Sequence, residues 1–507
     1  MSLAEFKASP WAKSHPLYKA AALSITPAPE YANSEVLVAG LYRTIGLAGL
    51  SEGMVPLKGR ELDRNIGTRR DRRTKPAGAS LEGDALHALL HDVLESPKLP
   101  NQSTKRFLQV TPLVGETASF SGSARLAGNP WPAGALVRRM VWLGSNSDKA
   151  AEARWANLFD ALMVHDDDDV FARFLRDELS AWTGISWGPA CIPPDANDVH
   201  CLPPAELEGY AFPARQFVRD LDAVVAAKPL MTRRQWTSLV EALVRVAAVA
   251  HVAWLCEVQK MTWDSVRRSV EGQPVPDDPR TLFYPRVLSY LSYGTGAVSE
   301  LKDRTSKYLR SRLGMNAVLW SLEEAGAPFA GQLSSAAELG DFCRHVGAHR
   351  SKLLEVTSLV DDLADREARA LLCRKGVGSN LMEFGRHVLY QRQAANPILR
   401  GYDQGYILRK RGAAKSSPWV CSPGPVAVLA LVHCSLAGLA GPRSVHRLAQ
   451  HMAAYGIAVD HRDIAQNDLG HQLRMLGLVL DSPDAESGML LVPPFAAARH
   501  GRVGVAS

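Results

Sequence analysis

No CxxC pair occurs in these 507 residues, no stretch of bilayer-spanning length is free of charge, and acidic and basic side chains nearly balance. Each absence excludes something. The seven cysteines, at positions 191, 201, 256, 343, 373, 421 and 434, are odd in number and scattered, which argues for reduced thiols and against a disulfide framework. The most apolar run, LVEALVRVAAVAHVAWLC from Leu239 to Cys256, contains Glu241, Arg245 and His251. Each is costly in lipid, so the run reads as a buried core helix and no membrane partner is expected. The opening MSLAEFKASPWAKSHPLYK has no continuous apolar segment of the secretory type. Phosphate-loop, nucleophile-elbow and dinucleotide fingerprints are missing as well, and YGTG at Tyr293–Gly296 is too short to count as a phosphate loop. The sequence therefore gives no reason to expect an enzyme, a cofactor or a metal.

Charge is only mildly positive. Lys and Arg number 58 against 52 Asp and Glu, a net of +6, with a pI of about 8.9. A dedicated nucleic-acid domain usually exceeds pI ~9, so any basic footprint must be local. Hydrophobic residues at 46% supply ample core, and the length suits two or more domains at ~100–200 residues each.

The expected architecture is mainly α and multidomain. Residues 1–150 read as a mixed α/β region: Pro10, Pro16, Pro27 and Pro29 punctuate its start, and RFLQVTPLVGETASFSGSARL alternates like strand. SLEGDALHALLHDVLES reads as a helix capped by Ser80. Residues 151–400 are helical by their three- and four-residue apolar spacing, with acidic residues opening the helix that Gly184 closes. Residues 401–418, rich in Gly, Ser and basic side chains, read as an exposed basic linker to residues 419–507.

The last segment has its own order. PGPVAVLALVHCSLAGL is a first helix, SVHRLAQHMAAYG a second with Ser444 as cap and Gly456 as stop, and HRDIAQNDLGHQLRMLG a third stopped by Gly477. LVLDSPDAESGMLLV then reads as a hairpin. Leu448, Met452, Ile464, Leu469, Leu473 and Leu476 fall at helix-core positions, with Leu478–Leu480 and Met489–Val492 as strands. This order resembles the winged-helix superfamily over ~100 residues, an ordinary domain length and about a fifth of the chain. The resemblance implies that the third helix enters a major groove, presenting Arg462, Gln466, Asn467 and Gln472 to bases and Arg474 to the backbone. Asp460, Asp463 and Asp468 on that segment, and Asp481, Asp484 and Glu486 on the wing, would repel phosphates, so the same face also suits a protein partner.

Three basic groups lie elsewhere. Arg69, Arg70, Arg72, Arg73 and Lys75 form the densest cluster, in a loop suited to phosphate contacts. Lys307 and Arg310 share a predicted helix face with Arg304, while Arg409, Lys410 and Arg411 sit in the linker with Arg400 and Lys415.

Metal readings are weaker. Asp166, Asp167, Asp168 and Asp169 beside His165 diverge on one short segment and suit a helix N-terminus better than a two-metal centre. Cys191, His200 and Cys201 are too widely spaced for a zinc knuckle. His345 and His349 lack the glutamate of HExxH, having Val346 instead. The functional expectation is a non-enzymatic, DNA-binding subunit of a larger complex in the bacterial cytoplasm, with other protein subunits as partners. Mobile-element and phage-defence systems offer an analogy at the level of shape alone. The rivals are a purely protein-binding adaptor and, further off, a metal-dependent nuclease using residues 165–169.

Overall fold

A computed structural model describes residues 2–12, 14–25, 34–47, 50, 55, 75–94, 112–120, 133–189, 201–372, 377–392, 403–412, 414, 416–439, 441–481 and 489–495. Among them helix accounts for 61% and strand for 6%, so the chain is mainly α. Helices of two turns or more are α1 (Ser34–Gly46), α2 (Gly83–Leu94), α3 (Ala133–Gly144), α4 (Asp148–Leu162), α5 (Val170–Thr183), α6 (Pro213–Ala226) and α7 (Arg233–Val270). They continue as α8 (Val298–Glu324), α9 (Ala336–Ala348), α10 (Val356–Arg366), α11 (Val377–Leu389), α12 (Pro425–Ser435), α13 (His446–Ala454) and α14 (Asp468–Met475). Short strands are β1 (Leu291–Ser292), β2 (Leu408–Lys410), β3 (Trp419–Cys421), β4 (Arg443–Ser444), β5 (Ile457–Ala458), β6 (Val479–Asp481) and β7 (Met489–Leu491).

The centre is α7, 38 residues and about 57 Å long at 1.5 Å per residue. Thr232 starts it with a capping box: its hydroxyl takes the Gln235 N–H while the Gln235 side chain takes the Thr232 N–H. It alone among the described helices is long and apolar enough to cross a membrane, and its apolar window is wholly enclosed by protein. A helix apolar all round needs such a surround, and α1, α6, α8, α9, α11 and α12 supply it. His251 is fully buried there with neither ring nitrogen hydrogen-bonded among the described residues. Burial, then the charge of Arg139, pull its pKa down to about 3, so the ring stays neutral.

The longest helices meet closely because one residue is small. A Cβ placed on Gly314 in α8 would lie 2.4 Å from ring carbons of Trp263 in α7. Alanine is the better helix former by about 1 kcal/mol, but the ring leaves no room. Gly314→Ala is therefore expected to lower stability by about 1–3 kcal/mol, the usual cost of overpacking. The midpoint of denaturant unfolding measures it.

Several expectations meet a different local structure. Within the described part of residues 1–150 the elements are helical: Gly115–Ser119 is a 3-10 turn where strand alternation was expected, and the one strand-like contact is the bridge of Leu47 to Gly188. Local bonds hold that turn, Thr117 Oγ1 to the Val114 carbonyl at 2.7 Å and Ser119 Oγ to that of Glu116 at 2.8 Å. The helix read from Ser80 begins at Gly83, because the Ser80 and Leu81 N–H groups donate to the buried Glu178 carboxylate of α5 instead. Gly184, Gly456 and Gly477 do end helices, with φ of 68°, 75° and 67°.

The main core is continuous from Phe6 to Leu491, with no break at residue 150 or at 401–418. A smaller core joins α2 to α5 through Leu86, Leu90, Leu175 and Trp182. Residues 401–418 are a linker only at their exposed tip: Asp403 and Gly405–Leu408 are buried, and β2 pairs with β3 in an antiparallel hairpin. Asp403 takes two bonds from Arg245 of α7, at 2.6 and 3.2 Å, and one from the Arg392 N–H at 2.8 Å.

The C-terminal segment runs α12–β4–α13–β5–α14–β6–β7, with β4, β7 and β6 forming an antiparallel sheet in that order. β5 leaves this unit and pairs in parallel with β1, Leu291 opposite Ile457. Leu448, Met452, Ile464, Leu469 and Leu473 are buried as expected of a helix core. Leu476 is not: it follows the last turn of α14 and stands exposed beside Met475.

Candidate nucleic-acid interface

Strand periodicity places the linker cations. With Leu408 buried as the anchor of β2, Arg409 and Arg411 fall on one face at i and i+2, and Lys410 on the other. Lys410 Nζ sits 5.9 Å from the centre of the Trp419 ring and 3.3 Å from the Ala414 carbonyl. The hairpin is fixed to the loop before α8, where Gly294 N–H donates to Cys421 (2.8 Å), Cys421 N–H to Thr295 (3.1 Å) and Ala297 N–H to Trp419 (3.1 Å). That loop continues into β1 and so to β5. Three distant stretches of sequence are thereby drawn to one place.

They enclose a cleft of about 530 Å³, lined by Arg409 and Arg411 of the hairpin, Tyr293 and Gly294 of the loop, and Asp463, Gln466, Asn467 and Asp468 before and within α14. Arg409 reaches Asp468 at 3.3 Å, but both side chains are well exposed, so the pair is worth little. Arg411 has no ion pair among the described residues. Two cations and two carboxylates leave the lining formally neutral. The Tyr293 hydroxyl is pushed up to about 12 by burial and by the charge of Asp468, so it stays protonated.

The start of α14 differs from the expected helix over 461–477. Ile464–Gln466 is a 3-10 turn, and Asn467 is the N-cap, its Oδ1 accepting from Leu469 N–H (2.9 Å) and Gly470 N–H (3.2 Å). Asparagine pairs with adenine through oxygen and nitrogen together, and here the oxygen is taken. Gln466, exposed and with its amide unbonded among the described residues, keeps both groups. Arg462 is exposed on the preceding turn. Arg474 is held in place by Asp481 at 3.1 Å and by the Ala465 carbonyl at 2.9 Å, which ties α14 to β6 rather than freeing a cation.

The other basic groups lie apart. Lys307 and Arg310 line a separate groove of about 440 Å³ between α7, α8 and Ala364–Leu372, paired with Asp303 at 2.5 Å and with Asp361. Lys307 is nine residues along α8 from Val298, roughly 14 Å along the helix axis from its start. Lys75 sits 3.7 Å from Glu82, and Arg69, Arg70, Arg72 and Arg73 lie outside the described residues, as do Arg400 and Lys415.

The acidic run has structural partners. Asp169 caps α5, its Oδ1 taking the Ala172 N–H at 2.8 Å, and Asp168 binds Arg233 (3.2 Å), Lys228 (3.4 Å) and the His165 N–H (2.8 Å). His345 Nε2 lies 2.9 Å from the Ala327 carbonyl and His349 Nδ1 3.0 Å from that of His345. Cys201 meets Asp148 at 3.1 Å, while Cys191 and His200 lie outside the described residues. Among the described residues no three His, Cys, Asp or Glu side chains are grouped to hold a metal.

Sequence reasoning missed the part played by Tyr293–Gly296. Its signal was present, two glycines in a turn that opens a long helix, but what makes it a wall of the cleft is its pairing with β3 and β5, more than a hundred residues away. Compared with family models, curated proteins and solved structures, the chain matches none.

Proposed function

We propose that this protein is a non-enzymatic nucleic-acid-binding subunit of a larger assembly, with the hairpin cleft as its contact site. The observation that carries the reading is convergence: Arg409, Arg411, Gln466 and Asn467, singled out in two separate stretches of sequence, line one cleft. The order α12–β4–α13–α14–β6–β7 with its three-stranded sheet supports a winged-helix relationship for the C-terminal segment. In this reading Arg411 holds a phosphate, Arg409 exchanges Asp468 for a second one, and the run Arg69–Lys75 adds further phosphate contacts. The free thiols of Cys201, Cys343, Cys421 and Cys434 fit a reducing, cytoplasmic setting.

The test is binding of labelled single- and double-stranded DNA and RNA to the full chain. Arg409→Ala with Arg411→Ala is expected to weaken binding by about tenfold or more at physiological salt, the two residues being solvent-facing and the fold kept. Equal affinity in wild type and variant would remove the cleft from the reading.

One observation favours a protein contact as well. Met475, Leu476 and Leu480 are exposed by 74%, 37% and 53% at the end of α14 and on β6, next to the neutralised Arg474–Asp481 pair. Apolar side chains there suit a partner subunit and not a phosphate backbone.

A further inference from the structure

We infer that the cleft takes an unpaired nucleotide, from a single strand or a strand end, and not the edge of a duplex. This rests on the nucleic-acid reading above and names its substrate class. The reason is shape. A recognition helix reads duplex DNA by standing proud of the protein and entering a groove about 12 Å wide. Here the residues that would lead, Gln466 and Asn467, line a concavity walled by the β2–β3 hairpin and the Tyr293–Gly294 turn. The Arg409–Asp468 pair at 3.3 Å spans from hairpin to helix on that same side. A double helix is convex and would meet the rim of this cleft rather than its floor, whereas its volume of about 530 Å³ falls among the ~300–1,000 Å³ sites that take one small molecule.

The lining also matches a nucleotide group by group. Tyr293 offers an aromatic surface for a base, and single-strand binders gain much of their affinity from such stacking. Gln466 has both an amide oxygen and an amide nitrogen free, the pair that recognises adenine. Arg411 supplies an uncommitted guanidinium for one phosphate, and Asn467, its oxygen spent on the helix cap, has its amino group left to donate. A formally neutral lining, in which Arg411 has no ion pair among the described residues and Arg409 holds only an exposed one, suits one or two phosphates and a base better than a long charged backbone.

The experiment compares a labelled oligodeoxyadenylate, its blunt duplex with oligothymidylate, and an adenine-free pyrimidine strand of equal length, each bound to the full chain. The single strand should bind at least tenfold tighter than the blunt duplex. Tyr293→Leu, which keeps an apolar side chain at the site, should weaken single-strand binding by about tenfold, in line with loss of one stacked base. Gln466→Leu, exposed and harmless to the fold, should narrow the preference for the adenine strand. Duplex binding as tight as single-strand binding, still dependent on Arg409 and Arg411, would overturn this inference and leave the nucleic-acid reading standing. Single-strand binding indifferent to Tyr293→Leu and Gln466→Leu would overturn it too. No binding of any of the three would remove both.

Discussion

Arg245→Met is expected to destabilise the protein by about 3–5 kcal/mol, the range for removing one partner of a buried ion pair. Arg245 is fully buried on α7, and every arm of its guanidinium is used. Nε donates to the Val388 carbonyl at 2.8 Å, one terminal nitrogen to Asp403 at 2.6 Å, and the other to Tyr390 at 3.0 Å and Asp403 at 3.2 Å. Arg392 completes the group, reaching Glu241 at 2.8 Å and Asp403 at 3.3 Å, so two cations face two carboxylates with no net charge. Taking Arg245 away leaves a carboxylate with 1% of its side chain exposed facing only Arg392. Arg245→Lys should rescue little, since an ammonium cannot serve four acceptors in that plane. The unfolding midpoint in denaturant reports the loss.

The same group sets an acid limit. Burial pushes the Asp403 carboxyl up, but the charges of Arg245 and then Arg392, with their hydrogen bonds, outweigh it and hold the group well below the usual carboxylate range. A carboxyl depressed on folding adds stability that is present in full above its unfolded value of ~3.9 and is lost as pH falls towards the folded value. Unfolding midpoints followed from neutral pH down through this window should fall in the wild type, and less steeply in Asp403→Asn.

Asp220→Ala is expected to cost about 3 kcal/mol, since it strands buried donors at ~1–3 kcal/mol each. Asp220, 1% exposed on α6, accepts from the Tyr455 hydroxyl at 2.5 Å and from Gln216 Nε2 at 2.8 Å. His451 Nε2 lies 3.0 Å away, within ion-pair distance though off the hydrogen-bonding direction. Burial and then the Asp220 charge raise the Tyr455 pKa far above the ordinary phenol value, so that hydroxyl remains a donor throughout the accessible pH range. Tyr455 and His451 belong to the C-terminal segment, so this carboxylate fastens α13 and β5 to α6, beside the contact of His433 in α12 with the Ala223 carbonyl. Hydrogen exchange should therefore rise first in α13 and β5. A uniform rise along the chain, or none, would show that the segment is held by other means.

How much of this was legible in the sequence follows from the range of the interactions. Apolar spacing and capping residues act within a few positions, and they revealed the helical middle, the buried nature of Leu239–Cys256 and the helix stops at Gly184, Gly456 and Gly477. The linker was misread because the partner that buries Asp403 is Arg245, 158 positions earlier. No periodicity carries such a pair. Asn467 was legible as a polar residue but not as a cap, because the 3-10 turn before it breaks the apolar rhythm from which a longer helix was inferred. The cleft cations were found by composition. Their meeting with Tyr293 depends on isolated bridges of Tyr293 to Cys421 and Gly296 to Val420, and that of the α14 side on β1 pairing with β5 over two residues, all too short to leave a pattern.

The most direct measurement is the affinity of the full chain for a labelled single strand between about 50 and 200 mM salt, beside the Arg409→Ala, Arg411→Ala variant. Each phosphate neutralised on a single strand contributes ~0.7 to the slope of log affinity against log salt. The account predicts binding that weakens with salt, and a slope shallower by ~1.4 in the variant, two phosphates' worth. Absence of binding at the lowest salt, or the same slope in both proteins, would contradict it.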